Sequence, residues 1–461
     1  MDVRALAVFR ISFGVLLMAD VLIRLDDLRV FYTDSGVLPR DTLFRYSSHP
    51  LVAYVPHSWS GEPVFQYLLF AITGFFAVLL ILGYRTRVVT VVSFLLVFSL
   101  HVLNPLTLNS GDVLFRRLLF WSIFLPLGAT YSYDCLFRND DREKVSNFAS
   151  ACILLQVVLV YAVNALWKHR GSFWMDRNAV GQVLSLEKFS TSIGSFLVEY
   201  PTLTEFFTKS WMIMLTFSVL LLLLTGWSRV LFVFVFITAH LFMAATMKIG
   251  LFPYISVAAL FLFLPPVFWS TAEKKVAALL PQRYTTVFSG GSELPGSKTS
   301  EIKRLAGKLT PLMAVFFAGL LLVNVVNLGY VELGDDTGEF LENFEAKWSM
   351  FAPRPPVQDY WMRIKGVTGS DVEIDPMGSK YYTNGTGPPD IYRDARWRKY
   401  LSNLDFGGRG PVENSTLEYF CRKPVRSMDL EPKHLVVYSV TNRTGSNTNL
   451  TFRNRDVYRC P

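Results

Sequence analysis

The sequence predicts an all-α polytopic membrane protein of about nine transmembrane helices, followed by a small α+β extracytoplasmic C-terminal domain. Three observations carry this. Hydrophobic residues fill 51% of the 461 positions, more apolar surface than a soluble interior can hide. They come in runs close to the ~20 residues that cross about 30 Å of hydrocarbon as helix. Beyond residue 330 the composition turns polar, and short strand-like and helix-like patterns replace the long runs.

The runs lie near 4–23, 65–83, 87–104, 113–130, 148–167, 211–226, 229–247, 250–268 and 312–329. The first contains Arg10 and Asp20 and lacks a small-residue cleavage site, so it reads as a retained helix and not a signal peptide. The fourth opens on Arg116 and Arg117 and carries Pro126 near its end, which predicts a tilted or partly inserted helix. Loops 24–64 and 168–210 are too long for simple turns and contain aromatic, partly apolar stretches (FYTDSGVLPRDTLF, FLVEYPTLTEFF). They are expected to fold back as amphipathic caps at the outer interface, where they can roof a cavity.

This gives a membrane domain over 1–270 with about eight spans, a polar cytoplasmic linker over 271–311, a last helix over 312–329 and the outer domain over 330–461. In that outer domain WMRIKGV and DVEI flank a Gly-Ser turn and predict a hairpin. ARWRKYLSNL and NSTLEYFCRK predict short amphipathic helices, and HLVVYSV a strand.

Lysine and arginine in the loops set the orientation. The basic loops are the Arg85–Arg87 turn, 131–147, the Arg229 turn and 269–311, and with nine spans all of them fall on one side. The N-terminus is therefore expected in the cytoplasm and the C-terminal domain outside, in a plasma-membrane protein. The net charge of +8 is then the usual cytoplasmic excess and calls for no nucleic-acid partner. Four N-glycosylation acceptor patterns, at Asn384, Asn414, Asn442 and Asn449, fall in the outer domain, as expected of a glycoprotein. Cys421 and Cys460 lie there too, where an oxidising compartment allows a disulfide. Cys135 and Cys152 read as free thiols.

No HExxH, GxSxG or strand-linked GxGxxG motif is present, and six scattered histidines offer no metal-ligand spacing. GGSELPGSKTS has the wrong spacing for a phosphate loop and reads as a linker. Attention moves to ionisable groups inside or bordering the spans, which are costly there unless they meet a partner or a cavity. Arg10 either snorkels to the inner surface or meets a polar ligand head. Asp20 and Arg24 sit one turn apart, as do Asp112 and Arg116, and both spacings favour structural pairs. His240 lies among apolar residues of the seventh run, either as a hydrogen-bonded structural residue or as a pocket residue. Lys168 ends the fifth run in the cluster Trp167-Lys168-His169-Arg170. That cluster reads as an interfacial belt or as a lysine held against a dry pocket, where desolvation disfavours an ammonium and frees an amine as a base.

Five stretches resemble, in order, the HTTM (horizontally transferred transmembrane domain) family, which includes the vitamin K-dependent gamma-glutamyl carboxylases. They are LAVFRISFGVLLMADVL, FYTDSGVLPR, LNSGDVLFRRLLFWSIFLPLG, VYAVNALWKHRGSFW and HLFMAATMKIGLFPYISVAALFLFLPP. The resemblance implies a membrane lyase in which a lysine deprotonates reduced vitamin K or another lipid naphthoquinol. Oxygen then converts the quinol through a strong base to an epoxide, and a glutamate carbanion captures CO2. O2 and CO2 are thus co-substrates, and the partners are the lipid bilayer, a lipid quinol and an exported peptide or protein. By the same resemblance Lys168 takes the catalytic position, and Arg10 and His240 take pocket positions for the quinol. The chain departs from the animal carboxylases by reading NSGD where they carry a histidine, and its outer domain is far smaller. The alternative is a non-catalytic member that binds a lipid, quinone or protein and assists maturation or transport.

Overall fold

The computed structural model describes residues 1–47, 49–137, 143–176, 178–279, 299–331, 348–377, 388–404, 410–422, 431–443 and 450–461. The described chain is mostly helical. Its main helices are α1 (Val3–Leu25), α2 (Pro63–Leu82), α3 (Thr86–Leu103), α4 (Ser110–Ser122), α5 (Phe148–His169), α6 (Pro201–Thr216), α7 (Gly226–Thr246), α8 (Phe252–Leu260), α9 (Pro266–Leu279) and α10 (Thr299–Asn327). Six stretches are long and apolar enough to cross a membrane: α1, α2, α3, α5, α7 and the part of α10 from Leu309 to Asn327. The other three expected spans are shorter or broken. α4 has 13 residues and α6 has 16, whereas Phe252–Phe263 and Pro266–Val276 form a pair bent by 100°. Pro265 and Pro266 explain the break, since proline removes a backbone donor and clashes with the preceding turn.

Local chemistry fixes the helix ends. Asp2 accepts from the backbone of Arg4 to start α1, and reciprocal capping boxes start α4 (Asn109 with Asp112) and α5 (Asn147 with Ser150). Gly83 ends α2 at φ 71°, a conformation that suits glycine. At one face the N-terminal ammonium donates to the carbonyl of Val145 at 2.9 Å, Arg4 meets Glu273 at 2.6 Å, and the backbone of Arg85 donates to Asp134 at 2.7 Å. α1 carries the chain to the opposite face, where Asp20 meets Arg396 of the C-terminal region at 2.5 Å.

That region contains an antiparallel sheet of order β2-β1-β3-β4, built from β1 (Gln358–Thr368), β2 (Glu373–Ile374), β3 (Pro432–Arg443) and β4 (Leu450–Arg459). β1 and β2 are the expected hairpin, and α11 (Ala395–Asn403) and α12 (Pro411–Arg422) are the expected amphipathic helices. The Cys421–Cys460 disulfide ties α12 to the residue that follows β4. Of the glycosylation acceptors, Asn414 is exposed in α12, Asn442 is half-buried in β3, and Asn384 and Asn449 lie outside the described residues.

The loop from α1 to α2 folds back through short helices Leu28–Tyr32 and Arg40–Tyr46. Its Leu28, Phe31, Val37 and Leu43 share one apolar core with Trp397, Tyr400, Phe420 and Val437. The first cap thus packs against the C-terminal region. Within this cap His57 is buried, with Nδ1 2.8 Å from Ser99 Oγ. Burial and the Arg24 cation push its imidazole down to about 3. An unfolded histidine, near pKa 6.5, takes its proton first, so the contribution of this site is whole above pH 6.5 and is lost as the pH falls toward 3. By pH 4.5 the loss is roughly 2–3 kcal/mol. Unfolding in detergent between pH 7 and 4.5 should show a shallower acid slope for His57→Gln than for the wild type, and equal slopes would refute the assignment.

Candidate functional site

Tyr161, Asn164 and Lys168 are spaced i, i+3 and i+7 along α5 and so share one face. All three are buried and line a cavity of about 910 Å³. α6 and α7 supply the apolar walls through Phe206, Phe207, Trp211, Phe234, Phe242 and Met243. The roof comes from the second cap, residues 168–210, with Trp174, Val180, Val183, Leu184 and Phe189, and from Met350 and Phe351. The two expected caps therefore have different neighbours: one packs against the C-terminal region and the other covers the cavity.

Lys168 is 2% exposed. Its amine donates to the carbonyl of Met350 at 2.8 Å and lies 3.4 Å from the ring centroid of Trp174. Among the described residues no carboxylate forms an ion pair with it. The segment 348–353 acts as a strap across this end of α5. Asn164 donates to the carbonyls of Trp348 at 2.9 Å and Ser349 at 3.2 Å, and Trp174 Nε1 donates to that of Phe351 at 2.9 Å. Four successive carbonyls are thus turned toward the α5 end. The strap achieves this with positive φ at Trp348, Met350 and Phe351, a left-handed geometry that costs energy in non-glycine residues and persists where the surroundings fix it. Gly171 is needed beneath the strap, because a Cβ there would lie 2.1 Å from the carbonyl oxygen of Pro353.

His240 projects from α7 into the same cavity. Its Nε2 is 2.9 Å from the hydroxyl of Tyr161, and the rings of Trp211 and Phe252 stand edge-on to it at 5.8 and 5.9 Å. His240 Nδ1 is buried without a hydrogen-bond partner. Such an orphan is uncommon in a folded interior and marks a place where a ligand oxygen can be received.

The structure brings Lys168 and His240 to one cavity and does not bring Arg10 to them. Arg10 points to the opposite end of α1, donating to the carbonyl of Tyr131 at 2.5 Å. Its guanidinium fills the space that a side chain at Gly83 would need. Asp112 differs from its expected pairing as well. One carboxylate oxygen meets Arg24 at 2.8 Å, while the other accepts from the backbone of Asn109 in the capping box.

The rim of the cavity next to the C-terminal region is cationic. Lys188, Lys248, Arg398 and Lys399 join Lys168 in its lining, and no aspartate or glutamate does so among the described residues. Burial pushes the Lys188 and Lys399 ammoniums down, while Asp359 and Asp112 respectively pull the other way. Sequence reasoning missed this rim, since its members lie up to 231 positions from Lys168, at Lys399. Asn164 and Tyr161 were within reach, given their helical spacing from Lys168.

A bundle with six helices long and apolar enough to cross a membrane, enclosing a roofed, largely apolar cavity, defines a multi-pass membrane protein. The chain belongs to the HTTM family: the HTTM domain model matches residues 1–269. That match covers the cavity's helical walls and second cap. The strap and the rim residues Arg398 and Lys399 lie beyond it. No curated protein and no solved structure matches the chain.

Proposed function

We propose that this protein is a membrane-embedded, vitamin K-dependent gamma-carboxylase-like enzyme that couples quinol epoxidation to carboxylation of glutamate in an exported peptide or protein. The observation that carries the reading is the Lys168 amine, buried on the wall of an apolar cavity and facing no carboxylate among the described residues. Family membership supports it. The cavity also fits a naphthoquinol: its walls are aromatic and apolar, and the orphaned His240 Nδ1 offers a polar contact.

In this reading Lys168 takes the proton from a quinol hydroxyl, and the strap carbonyl of Met350 holds the amine in place. Tyr161 orients His240, leaving Nδ1 for the second oxygen of the ring system. The reduced naphthoquinol supplies, as O2 oxidises it to the epoxide with release of water, the base strong enough to remove a glutamate γ-proton. The γ C–H bond is thereby replaced by a C–C bond to CO2. The cap and strap exclude water, which would quench such a base.

The test incubates purified protein with vitamin K hydroquinone, O2, labelled bicarbonate and a glutamate peptide. Both epoxide and fixed label are expected. Well-folded protein that forms no epoxide with several quinols would favour the second reading, a non-catalytic lipid- or quinone-binding protein. The direct tie between Lys168 and the strap favours that second reading, because a structural anchor needs nothing more.

We further infer that the N-terminus is cytoplasmic and the C-terminal domain extracytoplasmic, in the plasma membrane. The basic loops support this orientation. Protease added to right-side-out vesicles should remove the chain beyond about residue 335. Protection of that region would reverse the orientation.

A further inference from the structure

We propose that the cavity is also a site for an acyl lipid with an anionic headgroup, phosphate or carboxylate, held by Lys248 and Lys399 at the mouth with its chain along α7. The inference stands on charge and shape and does not depend on carboxylase activity.

Charge sets the head. Five basic residues and no acidic one line the cavity among the described residues. Lys188 is matched by Asp359 at 3.5 Å, and Arg398 donates to the carbonyls of Tyr392 at 2.8 Å and Lys248 at 2.5 Å. Lys248 donates to the backbone carbonyl of Glu187 at 3.5 Å and feels its carboxylate, and Lys399 feels Asp112, but neither makes an ion pair among the described residues. Asp112 is itself shared with Arg24 and Arg396, so the rim keeps an excess of positive charge, and an anion placed there offsets it, most strongly around the half-buried Lys399 where the attraction is less screened.

Position sets the tail. Lys248 follows the last turn of α7, the end that meets the second cap and α11. From there the lining runs back along α7 through Met243, Phe242, Thr238, Val235 and Leu231. The sixteen steps from Met247 to Leu231 make about 24 Å of helix at 1.5 Å per residue, more than half of a roughly 30 Å hydrocarbon core. Leu231, Val235, Phe234 and Phe206 are also strongly exposed, so the α6–α7 wall opens on the apolar flank of the bundle and not on water. The volume of about 910 Å³ is at the large end of the 300–1,000 Å³ usual for small-ligand sites. A cationic rim at the helix end with an apolar groove running inward matches the order of head and tail in a membrane lipid. An acidic peptide would satisfy the rim and leave the groove unfilled.

Native mass spectrometry of the full chain in neutral detergent tests this, with phosphatidylglycerol, oleate and phosphatidylcholine supplied in parallel. One equivalent of phosphatidylglycerol or oleate should be retained at least tenfold over phosphatidylcholine, and which of the two wins identifies the headgroup chemistry. Lys248→Gln/Lys399→Gln should reduce that preference at least fivefold. Raising the salt concentration on the wild type should reduce it too, a measurement that needs no variant to fold. Equal retention of the zwitterionic lipid, a preference insensitive to both salt and the double substitution, or capture of a glutamate-rich peptide in place of any lipid would overturn the proposal. Because retention is read without turnover, this result is separable from the fate of the carboxylase reading.

Discussion

Lys168→Ala is expected to lower quinol epoxidation at least 100-fold while leaving the chain folded. A positioned general base contributes about 10²- to 10⁴-fold, and among the described residues no other amine on this face of α5 touches the chamber. The substitution also removes the bond to Met350 and the contact with Trp174, at a cost of about 1–3 kcal/mol. A companion variant separates the two effects. Arginine at position 168 keeps a donor for the strap and a cation for the Trp174 face, but it remains protonated in any protein environment. If Lys168 is a base, Lys168→Arg is as inactive as Lys168→Ala although it is better folded. If Lys168 is only an anchor, arginine restores most of the activity and the base assignment is lost. Partial recovery of epoxide formation by Lys168→Ala on addition of a small primary amine would be a further sign of missing base chemistry, which a purely structural lesion does not show.

Much of the architecture was legible because membrane helices announce themselves by run length. α1, α2, α3, α5 and α7 each lie within a few residues of the expected runs. The shorter cases were legible only in part. Arg116, Arg117 and Pro126 marked the run near 113–130 as tilted or partly inserted, and its helix stops at Ser122, but the prolines at 265–266 break a pattern that hydropathy averages over. In the C-terminal region the hairpin, both helices and HLVVYSV were visible from their periodicity. β4 was not, because LTFRNRDVYR is strongly charged and is held by its ladder with β3 and by the disulfide that follows it. The site shows the same division. Helical spacing exposes Tyr161, Asn164 and Lys168, and the apolar setting of His240 singles it out. The strap cannot be found this way: its role lies in backbone carbonyls 184 and 182 positions away from Asn164 and Lys168, and backbone atoms carry no residue signature. Arg10 shows the converse limit. Its place in a span marks it as costly without saying whether a ligand or a turn carbonyl meets it.

The second large effect concerns the charges that hold the C-terminal region to the bundle. Arg24 donates through Nε to Asp20 at 2.7 Å, through Nη1 to the Tyr32 hydroxyl at 2.6 Å and through Nη2 to Asp112 at 2.8 Å, and the same Nη2 lies 3.4 Å from His101 Nε2. Arg396 of α11 closes the circuit, meeting Asp20 at 2.5 Å and Asp112 at 3.6 Å. Two cations and two carboxylates are thus buried as a balanced group. Removing one member leaves an uncompensated charge, which typically costs about 3–5 kcal/mol. Arg24→Met should therefore lower unfolding stability in detergent by that amount, and adding Asp20→Asn should return part of it, since neutralising the stranded carboxylate removes the penalty. A loss under about 1 kcal/mol for Arg24→Met would mean that water reaches the cluster and that these contacts are ordinary surface pairs. Arg396→Met isolates the contribution from the C-terminal region: in detergent, protease cleavage of that region should accelerate while the bundle stays resistant. The same variant links docking to the chamber, because Arg398 and Lys399 follow on the same helix and line its mouth. If the undocked α11 moves away, the rim loses two of its cations, and activity should fall further than the loss of stability alone accounts for.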